Sequence, residues 1–155
     1  MIPVLLLLVS ILAPSGGLAA ADEDRDYLEA CLAAAGGYTA GARTTCFGQV
    51  SKLCLSSSAG TTADMESCAA RELAVWEAYL QDAYAELEAS QPSPRMAAIR
   101  TAQEAWRPWR TARCDVYATF DGTIFGALAG LCRAETTSRR VVDLWEIQTG
   151  FVGER

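Results

Sequence analysis

Residues 64–118 read DMESCAARELAVWEAYLQDAYAELEASQPSPRMAAIRTAQEAWRPWRTARCDVYA, and this stretch decides the fold. In its first half Leu73, Trp76, Leu80, Tyr84 and Leu87 recur at intervals of three and four, as one face of an α-helix requires. The spacing predicts a helix over residues 64–89, capped by Thr62 or Asp64, with Glu66 in the first turn where the helix dipole favours an acid. Ser90-Gln91-Pro92-Ser93-Pro94 stops it, because the residue before each proline is pushed out of helical geometry. A second helix is predicted from Pro94 or Arg95 to about Ala118. Met96, Ile99, Gln103, Trp106 and Arg110 share one of its faces, and Ala98, Ala102, Ala105, Trp109 and Ala112 share the next. Pro108 falls inside it and is expected to kink it, since the ring displaces a helical hydrogen bond. The short connection makes the two helices an antiparallel hairpin.

Charge supports that pairing. Residues 63–90 carry Asp64, Glu66, Glu72, Glu77, Asp82, Glu86 and Glu88 against Arg71 alone, whereas residues 94–114 carry Arg95, Arg100, Arg107, Arg110 and Arg113 against Glu104. Opposite signs on adjacent helices favour one register, although each exposed ion pair contributes only about 0–1 kcal/mol.

Outward from the hairpin the elements are shorter. Residues 24–34 read as a first helix stopped by Gly36-Gly37, followed by a polar loop to Thr45, and Cys46 to Leu55 as one or two helical turns. After Phe120 the pair Asp121-Gly122 signals a turn, with Thr123 as cap of a last helical segment. That segment bears Ile124, Leu128 and Leu131, then Val141, Leu144 and Trp145 beyond an expected break near Thr136-Thr137. No strand-like alternation is present. The expected fold class is all-α, a small disulfide-braced helical bundle built on an antiparallel helix hairpin.

Residues 1–21 read as a cleaved secretory signal peptide, with an apolar run over Val4–Leu8 and Ile11–Leu12 and an A-x-A site at Ala19-Ala20-Ala21. No Lys or Arg precedes the run, which is too short to span a membrane. The first cysteine, Cys31, lies too far downstream to carry a lipid anchor, so no stable membrane anchor is expected after cleavage. Residues 22–155 form the expected single domain. Its six cysteines, Cys31, Cys46, Cys54, Cys68, Cys114 and Cys132, are even in number and imply three disulfides in an oxidising compartment, periplasmic or extracellular. Fifteen pairings are open. Sequence order suggests Cys31–Cys46, Cys54–Cys68 and Cys114–Cys132, each closing a short loop worth about 3 kcal/mol in the chain-entropy model.

Composition narrows the function. The 155 residues hold 13 basic and 19 acidic side chains and no histidine, for a net charge of −6. Histidine-dependent catalysis and the commonest ligand for zinc, copper or haem are absent, and no cofactor or metal is expected. An acidic chain is a poor partner for nucleic acid phosphates and a good one for a basic protein. Glycosidase chemistry needs only two carboxylates, but the spacing of the acids singles out no pair, and catalysis is not expected. Trp76, Trp106, Trp109 and Trp145 fall at helical spacings among apolar residues and are expected in the core rather than on a sugar-binding platform. Arg100, Gln103 and Arg110 share the face of Trp106 and are expected to form a satisfied polar network.

The run Thr61-Thr62-x-x-Met65-x-x-Cys68-Ala69, Glu72, Trp76, Leu80 and Tyr84 resembles the first half of the LprI-type lysozyme-inhibitor domain. The second half of that family is similar to Ile99-Arg100-Thr101-Ala102-Gln103-Glu104-Ala105-Trp106, Trp109-Arg110 and Cys114, then Gly122-Thr123, Cys132 and the stretch from Thr136 to Leu144 with Arg139 or Arg140. The resemblance spans residues 54–144 and implies that Trp76, Leu80, Tyr84, Arg100, Gln103, Trp106, Arg110, Gly122 and Arg139 form the structural frame. This chain departs from the pattern at Glu77, Gln81, Glu104 and Thr111, and Cys31 and Cys46 add an N-terminal loop.

The resemblance implies an exported acidic binding protein that inhibits lysozyme, or a related cell-wall lytic enzyme, by protein–protein contact. A contact facing a catalytic carboxylate pair should not itself be an acid. The turn Phe120, Asp121, Gly122 and Thr123, held beside a Cys114–Cys132 bridge, is the expected partner contact. The alternative is a disulfide-stabilised envelope accessory or assembly protein without a lysozyme target.

Overall fold

The computed structural model describes residues 16–36 and 45–150, and of residues 16–19 the backbone alone. The apolar run of the expected signal and the loop over 37–44 lie outside these residues. Among them are five α-helices and no strand: α1 (Gly16–Ala34), α2 (Gln49–Ser56), α3 (Thr62–Ser90), α4 (Ser93–Asp115) and α5 (Ile124–Thr149), with a 3-10 turn at Val116–Thr119.

Local chemistry sets the boundaries and corrects several of the expected ones. Helix α3 starts before residue 64, because Thr61 is its cap. Thr61 Oγ1 accepts from the Asp64 amide at 3.2 Å, and the Asp64 carboxylate accepts from the Thr61 amide at 2.9 Å, a reciprocal capping box. Helix α4 ends at Asp115 rather than Ala118, where the backbone tightens into the 3-10 turn; it is continuous through Pro108. Thr123 flanks α5 without a side-chain cap bond. The expected break at Thr136-Thr137 does not occur. The Thr137 hydroxyl donates to the Arg133 carbonyl at 2.7 Å and the Ser138 hydroxyl to Glu135 at 2.8 Å, so these side chains satisfy helical carbonyls instead of interrupting them. Helix α1 begins at Gly16, upstream of residue 24, and the triplet Ala19-Ala20-Ala21 lies within it.

The three long helices run up, down and up. Helices α3 and α4 are antiparallel, with Glu88 facing Arg100 and Glu77 facing Arg110. Helices α4 and α5 are antiparallel as well, shown by Gln103 opposite Arg140 and Asp115 opposite Arg133. The most intimate packing is between α3 and α5, which are parallel: Gly126 sits against Glu66, Gly130 against Ala69, and the Tyr79 ring meets Trp145 edge-on at 5.9 Å. A Cβ on Gly130 would lie 3.0 Å from the Ala69 Cβ, so the missing side chain lets two backbones approach closely.

The core follows from the periodic residues. Trp76, Leu87, Val141 and Leu144 are fully buried among Val75, Tyr79, Leu80, Met96, Ile99, Val142 and Trp145, and α1 and α2 close the cluster with Leu28, Leu32 and Val50. Three disulfides join sequence neighbours, Cys31–Cys46, Cys54–Cys68 and Cys114–Cys132. They tie α1 to the chain before α2, α2 to α3, and α4 to α5. An Asp24–Arg71 fork, with bonds of 2.6 and 2.8 Å and Asp24 almost wholly buried, fastens α1 to α3.

Candidate functional site

Helices α3 and α4 meet mainly through long side chains, which leaves a groove of about 610 Å³ between them. Of the residues expected to form the frame, Leu80, Tyr84, Gln103, Trp106 and Arg110 line this groove. Trp76 lies behind it in the core, and Arg100 pairs with Glu88 at 3.2 Å.

Arg110 is the hub. Its Nη1 donates to Glu77 at 3.0 Å and to the buried Thr137 hydroxyl at 2.7 Å, while its guanidinium lies 4.9 Å from the Trp106 ring centroid. One α4 side chain therefore links α3 to α5. Deeper in, Arg140 Nε donates to the buried Gln103 carbonyl at 2.9 Å. Burial holds the Arg140 guanidinium below its ordinary value, opposed by the charge of Asp143. Gln103 and Arg110 thus each hold polar partners across the bundle, Gln103 through Arg140, but the satisfied network expected there is not complete: Arg110 Nε and Arg140 Nη2 are buried without a hydrogen-bond partner among the described residues. Arg139 points outward and bonds Glu135 one turn back at 2.6 Å, and Arg100 belongs to the exposed rim.

A residue outside the expected frame organises the opposite side of α3. Glu72, counted above with the acidic stripe, is fully buried. Its carboxyl accepts from the Gly48 amide at 3.0 Å, the Ser51 amide at 2.9 Å and the Trp76 indole at 2.7 Å. Gly48 lacks a side chain with which to cap α2, so Glu72 of α3 caps it from across the bundle. No local signal marks it, because its partners Gly48 and Ser51 lie 24 and 21 residues away in sequence.

The tryptophans divide. Trp76 and Trp145 are core residues, Trp106 is half-buried at the groove, and Trp109 is 51% exposed with Arg113 stacked 5.5 Å from its ring. The expectation of a core Trp109 is corrected by topology, since no element covers the face of α4 that also carries Ala98, Ala102, Ala105 and Ala112. The expected contact turn is exposed at Phe120, Asp121, Gly122 and Thr123, and the Phe120 ring stacks on Phe125 at 5.0 Å. Gly122 has φ 124°, a conformation that favours glycine.

Among the described residues no group of three or more Cys, Asp or Glu side chains is placed to hold a metal ion, and no helix is long and apolar enough to cross a membrane. The arrangement fixes helices to one another. A family model described as lysozyme inhibitor LprI matches residues 54–144, from the end of α2 through Leu144 in α5. No curated protein and no solved structure matches the chain.

Proposed function

The chain belongs to the LprI lysozyme-inhibitor family, and from that premise we propose that it is an exported acidic protein that inhibits lysozyme, or a related cell-wall lytic enzyme, by binding it. The family match over more than half of the chain carries this reading. Three disulfides support action in an oxidising compartment, periplasmic or extracellular. The net charge of −6 supports attraction to a basic enzyme and fast encounter.

Export in this reading removes residues 1–21 and leaves the rest of α1 attached through the Asp24–Arg71 fork and the Cys31–Cys46 bridge. The inhibitor works as a rigid body, and three cross-links reduce the ordering that binding would otherwise require. The turn Phe120–Thr123 belongs to its contact region. No bond is made or broken in the target.

The test is a cell-wall lysis assay with protein purified from the exported fraction, against basic lysozymes of several classes. Inhibition at micromolar concentration, with association slowing as salt rises, is expected. Absence of inhibition and of binding in every class would leave the envelope-accessory reading in its place. N-terminal sequencing of the same material should begin near Asp22.

A further inference from the structure

Trp109, Val116, Phe120 and Ile124 are four of the six large hydrophobic side chains exposed among the described residues, and all fall between residues 109 and 124. Trp109, Arg113 and Val116 are spaced four and three apart, so they share the outer face where α4 runs into the 3-10 turn. Beside them lies a groove of about 450 Å³ whose walls include Phe47, Tyr117, Leu128 and Leu131. Monomeric proteins seldom leave such a concentration of apolar surface uncovered without a use.

This face carries a guanidinium that no carboxylate among the described residues neutralises through an ion pair. Arg25, Arg71, Arg100, Arg110, Arg133 and Arg139 each hold a carboxylate ion pair; among the described residues Arg95, Arg107, Arg113 and Arg140 hold none, and of these four Arg113 is the one whose guanidinium rests on an aromatic ring, that of Trp109. The nearby acids Asp115 and Glu135 are already taken by Arg133 and Arg139. A positive charge without a local counterion, on an aromatic face, therefore projects from an otherwise acidic molecule.

We propose that the Trp109–Arg113 face is the surface that enters the carboxylate-bearing cleft of the target lysozyme. The inference deepens the inhibitor reading and rests on it. A glycosidase cleft presents two acids flanking the scissile bond, so an inserted guanidinium gains charge-assisted bonds where an inserted acid would be repelled. Tryptophan and arginine are also the side chains most often found at the energetic centre of interfaces. Stacking on Trp109 holds the guanidinium before binding, which reduces the ordering cost. Asp121 then places the turn at 120–123 on the rim rather than in the cleft.

Inhibition constants for wild type, Arg113→Glu, Arg113→Lys and Trp109→Ala against a basic lysozyme test the assignment, with Arg95→Glu as a matched charge change at the other end of α4. Arg113→Glu should weaken inhibition by roughly 100-fold and Trp109→Ala by roughly 10-fold or more, while Arg95→Glu stays within about 3-fold. Arg113→Lys should recover part of the loss. A chito-oligosaccharide filling the cleft should compete with the wild-type protein, a readout that needs no variant. Undiminished inhibition by Arg113→Glu and Trp109→Ala, or binding indifferent to the oligosaccharide, overturns the assignment and leaves the inhibitor reading standing. Loss of self-association instead of inhibition in these variants would mean that a second copy of the chain covers the face, which also overturns it. A wild-type protein that binds no lysozyme removes both.

Discussion

The indole of Trp76 donates to the carboxyl of Glu72 at 2.7 Å, one turn away on the same helix, and both side chains are fully buried. The same carboxyl takes the first amides of α2, so one acid joins the largest core side chain to the start of another helix. Glu72→Ala should therefore orphan three donors at once. Each buried donor left unmatched costs about 1–3 kcal/mol, so a loss of several kcal/mol in urea unfolding is expected, with Glu72→Gln losing less because it keeps one acceptor oxygen. A change under about 1 kcal/mol for Glu72→Ala would show that water replaces the carboxyl without cost.

The parallel contact of α3 with α5 predicts a contrast between two glycines. At Gly126 a new Cβ meets the end of the exposed, flexible Glu66 side chain, which can swing away; at Gly130 it meets the buried Cβ of Ala69 at 3.0 Å. Replacing glycine by alanine inside a helix gains up to about 1 kcal/mol of propensity. Gly126→Ala should keep that gain. Gly130→Ala should lose it to crowding, and Gly130→Leu should cost about 1–3 kcal/mol or more through overpacking. Thermal melts of the three variants check the order, and equal stability of Gly130→Leu and wild type would contradict the close approach.

How much of this was legible in the sequence depends on whether the deciding neighbour was local. The apolar faces of α3 and of the first half of α4 could be read because each is set by spacing within one helix. The capping box at Thr61 and Asp64 was equally local, but Thr62 and Asp64 offered rival caps at adjacent positions, and only backbone geometry chooses among them. The burial of Glu72 was not legible, since its partners Gly48 and Ser51 lie more than twenty residues away and an acid on an amphipathic helix ordinarily faces water. Trp109 failed in the opposite direction. Its helical spacing marks a potential core face, but burial requires a neighbouring element, and the fold supplies none there. Arg139 and Arg140 are adjacent in sequence and separated by about 100° around α5, so the network takes one and leaves its neighbour in solvent.

Arg110 and Thr137 predict a measurable coupling. The Thr137 hydroxyl is wholly buried, accepts from Arg110 and donates to the Arg133 carbonyl. Thr137→Val preserves shape and removes the acceptor, at an expected cost of about 1–3 kcal/mol. In a double-mutant cycle with Arg110→Met the two losses should fall short of additivity by more than about 0.5 kcal/mol. Strict additivity would show that the hydroxyl serves α5 alone.

Cys114–Cys132 closes the down-and-up pair of α4 and α5 across the 3-10 turn, with a sequence separation of 18. Replacing both cysteines by serine should lower stability by about 3 kcal/mol, chiefly by freeing the unfolded chain. In the proposed inhibitor reading, lysozyme inhibition should fall as well, because the bridge steadies the end of α4 that carries Arg113 and the 3-10 turn that carries Val116. Retention of both stability and inhibition would show that packing of α5 suffices to hold that end.

Acid should act selectively on the start of α3. The Thr61 hydroxyl, then the Thr61 and Gly60 amides, hold the Asp64 carboxyl below the ordinary carboxylate range against a smaller opposing effect of burial. The folded state therefore prefers the ionised acid more than the unfolded chain does. The resulting stabilisation is complete above the unfolded carboxylate value and disappears as pH falls through the lower folded one. Asp64→Asn removes that titration, and Thr61→Val removes its largest cause. The difference in melting temperature between wild type and either variant should thus be greatest near neutrality and shrink on acidification through the carboxylate range. A difference that stayed constant from neutral pH down into strong acid would mean that the cap works through geometry alone and not through the charge on Asp64.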